Sequence, residues 1–445
     1  MKFSLVSLGC SKNLVDSENY IGLLVNKKNF KYTEKVEDAD IALINTCGFI
    51  GDAKEESINT ILEIAEYKKN NLKKIIVTGC LAERYAEDIL NELPEVDAVV
   101  GTGAVDKIEE IVDEILLNNK IVETGSFEYL PTANLDRILL TPKHTAYLKI
   151  SEGCDRKCTY CIIPKMRGQL RSRKIEDIVE EAKKLSKNGV RELNILAQET
   201  TEYGIDLYKK KALPDLLKEL VKIKEIDWIR IYYMFPNSIT DELIEVIKSE
   251  DKICKYFDVP IQHISDNILR KMARGINGEK TRKLLYKIRE NIPNAIFRTS
   301  LIVGFPGETE EEYEELIKFV KEFKFDYIGA FKYSREEDTK SYSMKNQIDE
   351  KEKEKRLSKL TSLQNDIVEM KNMNLIGKKI DVIIDGVSSE EEEMFEGRTR
   401  GQAFDIDGKV LVSGKEIKIG DIVKVLITQN VGYDLVGELY SEGEK

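Results

Sequence analysis

Short apolar runs alternate with amphipathic stretches over the first quarter of the chain. Runs at residues 3–8, 40–46, 74–78 and 98–100 predict strands, and 16–27, 53–67 and 106–117 carry helical spacing. Strands that alternate with helices predict a parallel sheet covered by helices. From 118 to 143 the period fades and Pro131 and Pro142 interrupt it, so this stretch reads as a connector. Six further strand-like runs follow at 145–151, 192–198, 228–233, 256–262, 295–304 and 327–333, spaced by amphipathic stretches such as 176–187 and 310–323. Repeated βα units fit a barrel, but six are fewer than closure requires. They predict an open, partial barrel whose mouth admits a large substrate. Residues 349–373 form a charged helical stretch whose apolar stripe, Leu357, Leu360, Leu363 and Ile367, suits packing on a core. Beyond it, runs at 379–384, 396–399, 402–406, 410–412, 421–427 and 436–439 are punctuated by glycines. About five short antiparallel strands make a small barrel of the oligonucleotide-binding kind. The expected fold class is therefore α/β and multidomain: a parallel-sheet α/β domain at 1–118, an open βα barrel at 140–370 and a small β-barrel at 373–441.

Charged residues make up 33% and hydrophobic residues 42%, ordinary for a folded, water-exposed chain. No apolar run is long enough to span a membrane, and the start lacks a signal peptide's features, so a cytoplasmic location is expected. Seven cysteines are too few for a disulfide scaffold and point to metal or catalysis. The net charge of −11 is concentrated at the end: residues 381–445 hold 15 acidic and 7 basic side chains. Such a surface is a poor footprint for a nucleic-acid backbone. It suits a basic protein partner, or is simply a solvated face with the acidic run 390–393 on a loop.

Six cysteines fall into two sets. Cys154, Cys158 and Cys161 follow the first barrel strand in a C-x3-C-x2-C spacing. Clusters of iron and sulfur are held by thiolates, and a cubane with three protein ligands keeps one iron open to a small molecule. A zinc site would want a fourth donor nearby. Cys10, Cys47 and Cys80 each follow a strand of the first domain. A parallel sheet brings such ends together, where ligands bind, so these thiols predict a second metal site, with Gly9, Gly48 and Gly79 letting the backbone pass close to a bulky group. Each could instead be a buried small hydrophobe. Cys254 has no such company and is assigned to core packing.

The C-x3-C-x2-C spacing resembles that of radical S-adenosylmethionine enzymes. Polar residues end the other barrel strands: Gln198, Glu199, Thr200 and Thr201; Gln262 and His263; Arg298 and Ser300; then Gly304 to Glu308. On that resemblance Glu199 is a candidate for the methionine amine, Arg298 for the carboxylate through charge-assisted bonds, and Gln262 for a further polar group of the cofactor. Glu308 and Thr309 also suit a helix start, and a lone histidine such as His263 is more often structural than catalytic.

The whole chain resembles the methylthiotransferases, with a terminal domain that looks like the TRAM module. One branch acts on tRNA adenosine; the other, the RimO type, acts on an aspartate of small-subunit ribosomal protein twelve. Val6 to Glu18 (VSLGCSKNLVDSE), Asn45 to Ile50 (NTCGFI), Tyr147 to Cys154 (YLKISEGC) and Pro260 to His263 (PIQH) look like the second branch. Glu199 stands where that branch usually has Asp, and Gln402 and Phe404 replace a usual Asp and Pro. The resemblance implies a 4Fe-4S cluster on Cys154, Cys158 and Cys161 that cleaves S-adenosylmethionine to a 5′-deoxyadenosyl radical. It implies an auxiliary 4Fe-4S cluster on Cys10, Cys47 and Cys80 that carries the inserted sulfur, a second S-adenosylmethionine as methyl source, and chemistry at the aspartate β-carbon with no side-chain acid–base dyad. It also implies an electron donor, a sulfur donor and the ribosomal protein, free or within the particle, as partners, with no membrane and no nucleic-acid substrate. The alternatives are a tRNA methylthiotransferase, for which a basic terminal surface is expected, and a non-catalytic iron–sulfur carrier, which needs no substrate mouth.

Overall fold

Apolar residues at successive positions of the first strands point alternately to two faces, and both faces are covered. In the computed structural model, which describes residues 1–135, 137–389, 391 and 393–440, six parallel strands form the first sheet. They are β1 (Lys2–Ser7), β2 (Lys31–Tyr32), β3 (Ile41–Thr46), β4 (Lys74–Gly79), β5 (Ala98–Val100) and β6 (Ile121–Glu123), in the order β2-β1-β3-β4-β5-β6. Phe3, Leu5, Leu43 and Ile76 pack with helices Ser11–Lys28 and Ile108–Leu116 on one side. Ala42, Ile44, Ile75 and Val77 pack with Gly51–Ala65 on the other. Two edge strands were not expected: β2 is two residues long, and β6 lies inside the stretch read as connector, so the sheet runs past residue 118. The rest of the connector is a strap. Arg137 pairs with Glu18 and with Glu181 (3.0 Å), joining the first domain to a barrel helix.

The central domain has the six expected strands. β7 (Thr145–Lys149) is followed by a small antiparallel pair, β8 (Ser151–Glu152) and β9 (Arg171–Ser172). Then come β10 (Glu192–Leu196), β11 (Trp228–Ile231), β12 (Tyr256–Asp258), β13 (Ile296–Val303) and β14 (Tyr327–Lys332). Two parallel three-stranded sheets, β7-β10-β11 and β12-β13-β14, are joined by a bridge between Ile229 and Ile253. The outward residues, such as Leu148, Ile195, Ile231, Phe257 and Leu301, form one core with the helices. Helix Glu350–Met373 adds Leu360 and Ile367 to that core, with Leu357 and Leu363 packed at its margin. The inward residues Tyr147, Leu196, Trp228, Tyr232 and Tyr256 form a second cluster. Val15 enters this cluster from the first domain, and Ile383 and Ala403 from the last, so the barrel interior is stoppered from both neighbours.

The last domain is a closed five-stranded barrel, β15 (Lys379–Val387), β16 (Met394–Thr399), β17 (Val410–Ser413), β18 (Ile422–Val431) and β19 (Asp434–Leu439), ordered β15-β16-β17-β19-β18. One pairing, β17 with β19, is parallel rather than antiparallel. Residues 402–406 are a turn, not a strand: Gln402 caps the Thr399 amide through Oε1 (2.9 Å), and Ala403 and Phe404 pack against the central barrel's tyrosines. Of the acidic run, Glu390 and Glu392 lie outside the described residues, as does residue 441; Glu391 and Glu393 are exposed. Among the described residues no helix is long and apolar enough to cross a membrane.

A buried ion cluster locks the last two domains together. Glu192 accepts from Arg398 (2.7 Å) and Arg230 (3.2 Å), and Arg398 also reaches Asp385 (2.6 Å). Burial alone would raise the Glu192 carboxyl; Arg398 and then Arg230 overcome it and hold the group at about 2. Its free value is about 4.3, so this stabilisation is complete above that pH and is lost as pH falls toward 2. Trp228, the single tryptophan, is buried beside the lock, with Arg400 over its ring. Its emission is expected to shift red between about pH 4.5 and 2. Glu192→Gln should remove that acid step and lower stability at neutral pH by about 3 kcal/mol or more, because buried cations lose their partner. An acid transition unchanged in Glu192→Gln would show that another group drives it.

Candidate active site

Each thiol of the first set stands just past a strand end. Cys10 caps helix Ser11–Lys28 after β1, Cys47 follows β3 and Cys80 follows β4, and these three strands are adjacent in the sheet. Side chains bind the three loops together. The Asn13 amide donates to the carbonyls of Leu8 and Thr46 (both 3.1 Å), and Asn45 donates to the Asn13 carbonyl (2.8 Å). Ser57 accepts from the Cys47 amide (3.1 Å). The glycines let the loops touch one another. A Cβ on Gly9 would sit 2.8 Å from the Cys47 Cβ, one on Gly48 2.8 Å from Leu81 Cα, and one on Gly79 2.5 Å from the Thr46 carbonyl. Gly9 and Gly79 also have φ of +86° and +96°, where a side chain is strained.

The second set lies on the loop after β8, at the barrel mouth. Gly153 has φ +74°, and a Cβ there would lie 2.0 Å from the Gln169 carbonyl, so only glycine lets the loop begin. Arg274 donates to the Cys158 sulfur (3.5 Å) and to the Tyr160 hydroxyl (3.2 Å). Arg156, inside the loop, donates to Glu199 (2.9 Å). Burial pushes the Cys154 thiol up to about 11 and Cys161 to about 12, as it does Cys47. Cys10 differs. It is open to solvent, and although the surrounding protein opposes charge, Lys12 and then Arg167 draw its thiol below the ordinary value.

The two sets are joined through a charged seam, and Cys80 packs against Ile162 and Met166, just past Cys161. Helix Ile163–Arg167 starts two residues after Cys161 and ends on Arg167, which is 2% exposed. Arg167 donates to Asn13 Oδ1 (2.6 Å), whose other neighbour is the Cys80 sulfur (3.8 Å). It also pairs with Asp16 and Glu152 (both 3.1 Å). Lys149, at the end of β7, binds the same two carboxylates, and Gln198 donates to Glu152 (2.9 Å). On the far side of the mouth, Glu336 after β14 receives Lys54 (2.9 Å) and Arg84 (3.0 Å). The first domain thus bridges the first and last barrel strands.

The expected cofactor contacts divide. Glu199 sits by the second thiol set; its Oε1 accepts from the Thr201 amide (2.8 Å), and its charge helps raise Cys154. Gln262 has φ +70° and pairs with β13 through the Ser300 carbonyl (2.9 Å). Arg298 is lower in the barrel, paired with Asp258 (3.4 Å) and with Asp407 of the terminal domain (3.5 Å). His263 is buried, accepting the Ser265 amide at Nδ1 (3.0 Å) with Glu308 3.6 Å from Nε2. Cys254 is buried in the barrel interior. Lys12, Asn13, Asp16, Lys149 and Glu152 lie inside the quoted motifs and Arg156 inside the cysteine loop, but the sequence assigns none of them a site role, and Arg167 and Arg274 fall in no motif. All but the exposed part of Arg156 are buried polar groups, and only their adjacency to cysteines or strand ends marks them.

Among the described residues no three His, Cys, Asp or Glu side chains crowd closely enough for a single metal ion. The fit to a cluster rests on donor chemistry: each set offers three thiols, and thiolates that bind separate irons stand apart.

Three family models match: the radical SAM superfamily over residues 148–320, the uncharacterized protein family UPF0004 over 2–101 and the TRAM domain over 376–439. The ribosomal protein uS12 methylthiotransferase RimO of Clostridioides difficile is 50% identical, over 99% of both chains. That of Lachnoclostridium phytofermentans is 51% identical, over 98% of this chain and 99% of the relative. Among solved structures, the radical S-adenosylmethionine methyltransferase TsrM from Kitasatospora setae superposes with a TM-score of 0.55 at 12% identity, covering 74% of this chain and 72% of that one. This last likeness is one of fold. With half its residues shared along their whole length, the chain belongs to the RimO-type methylthiotransferases, a family of radical S-adenosylmethionine enzymes.

Proposed function

We propose that the protein methylthiolates the β-carbon of an aspartate in ribosomal protein uS12. What carries this reading is the near-50% identity, over the full length, with proteins bearing that name. Two three-thiol sets facing one barrel mouth support it. Cys154, Cys158 and Cys161 would hold one 4Fe-4S cluster and S-adenosylmethionine, and Cys10, Cys47 and Cys80 a second cluster. When bound, these groups supply the radical, the sulfur and the methyl that an unactivated C–H bond requires. The protein does the positioning. Arg274 steadies the loop at Cys158, and Arg156 holds Glu199 beside that loop, where Glu199 can take a cofactor amine. Arg298, held by two carboxylates, braces the terminal barrel from where it lies; a carboxylate ligand would have to displace them. Gln262, on a strand end at the same mouth, remains within the proposed cofactor-facing set. The electron and the sulfur come from outside the chain, and the reaction belongs to the cytoplasm, where the ribosomal protein is made.

The test is a paired assay on anaerobically reconstituted protein with S-adenosylmethionine, reductant and sulfide, offered uS12 or unmodified tRNA. Mass spectrometry should find one SCH3 replacing one hydrogen on the aspartate, with tRNA untouched. A gain on tRNA alone would overturn the substrate. Release of 5′-deoxyadenosine with no gain on either would overturn methylthio transfer to both.

A further inference from the structure

Lys12 is a buried cation without a carboxylate. It is 8% exposed, and no carboxylate among the described residues lies within ion-pair distance of its ammonium. Its neighbours are different: Lys149 and Arg167 share Asp16 and Glu152, and Arg137 holds Glu18. Lys12 also stands in the first turn of helix Ser11–Lys28, where the helix dipole disfavours positive charge. What it touches is a ring: the ammonium lies 3.2 Å from the centroid of Tyr233, a cation–π contact that supplies no counter-charge. Apart from the Cys10 thiol, whose ionisation it favours, no acidic group among the described residues lies within ion-pair distance of it, and a buried charge held this way costs free energy that an arriving carboxylate would recover.

The place is specific. Lys12 is two residues from Cys10, in the first thiol set. Tyr233 follows β11, and two residues further on Phe235 carries the guanidiniums of Arg156 and Arg274, each 4.0 Å from its ring. Arg274 in turn reaches the Cys158 sulfur. Lys12 therefore overhangs a three-residue segment whose other end adjoins the second thiol set. On the function proposed above, the carbon that loses hydrogen and gains sulfur must lie between the two sets, and the side-chain carboxylate is one bond from it. We propose that Lys12 receives the carboxylate of the substrate aspartate and so selects an acidic side chain at the site. The inference rests on that function and adds the residue that reads the substrate.

The test uses the cluster-loaded full chain and two labelled peptides from uS12, one with the target aspartate and one with asparagine in its place. Affinities are read by fluorescence anisotropy. The native protein should prefer aspartate by at least about 30-fold, the range for a buried charge pair. Lys12→Gln and Lys12→Met should bring the ratio to near one, and Lys12→Arg should keep most of it. An undiminished preference in Lys12→Gln overturns the proposal. So does an equal loss for both peptides with a shifted auxiliary-cluster potential, which would make Lys12 a counter-ion to the cluster. Bound iron is measured for each variant. Should the Gln and Met variants lose auxiliary iron, the native and Arg proteins decide: a shared preference supports the proposal, and a native ratio near one overturns it. Native protein that methylthiolates the peptide without preferring aspartate sinks only the role of Lys12; native protein that binds neither peptide sinks the substrate itself.

Discussion

Cys10→Ala is expected to abolish methylthiolation, by at least about 1,000-fold, while 5′-deoxyadenosine is still released from S-adenosylmethionine at close to the native rate. The reason is the division of thiols between domains. Cys10 belongs to the sheet domain and is held by the loops of β1, β3 and β4. Cys154, Cys158 and Cys161 sit on a loop anchored to the barrel by the Gly168 carbonyl (3.1 Å) and by Arg274. Removing Cys10 leaves two thiols for the proposed auxiliary cluster and none fewer for the radical one. Bound iron should fall by about half. Modification of uS12 at the native rate by this variant would show that the first thiol set has no part in sulfur insertion.

The second large effect concerns Arg167→Met. The change is close in volume but deletes a buried cation shared by Asp16 and Glu152. Lys149 would then be the one cation left to both carboxylates among the described residues, and a buried charge left unpaired costs about 3–5 kcal/mol. Because Asp16 comes from the first domain and Glu152 from the barrel, the loss should fall on domain docking and be read as an early transition in urea. Adding Asp16→Asn should restore part of the stability, since the surplus negative charge goes with it; such neighbours are not additive. An unchanged urea profile in Arg167→Met would mean that the seam is held by Glu336 with Lys54 and Arg84 instead.

Much of the architecture was legible because its signals are local. Strands β3 and β4 of the first sheet carry continuous apolar runs, Ile41–Ile44 and Ile75–Val77, and a sheet buried on both faces needs them. The strand expected at 402–406 is absent because Ala403 and Phe404 are apolar for a different reason: they fill the interior of the neighbouring domain's barrel, not their own. The two-residue strand β2 is too short to leave a pattern. The helix from Ser11 was expected to begin only at residue 16, because Lys12, Asn13 and Asp16 are polar yet buried. Their burial follows from the site they line, and no periodicity records it.

The chain alone determined where the six thiols would stand. A residue just past a parallel strand must lie at the carboxyl edge of its sheet, and Cys10, Cys47, Cys80 and the 154–161 loop all do. The chain alone also determined the number of layers, since each apolar face requires a cover. Only the tertiary structure decided that the two thiol sets share one mouth, that Arg298 answers to Asp258 and Asp407, and that Lys12 is left without a carboxylate. These outcomes depend on pairs far apart in the chain: Asp16 and Arg167 are 151 residues apart, and Glu192 and Arg398 are 206. A charge's partner is set by which distant segments pack together, and that choice leaves no mark on the residues beside it in sequence.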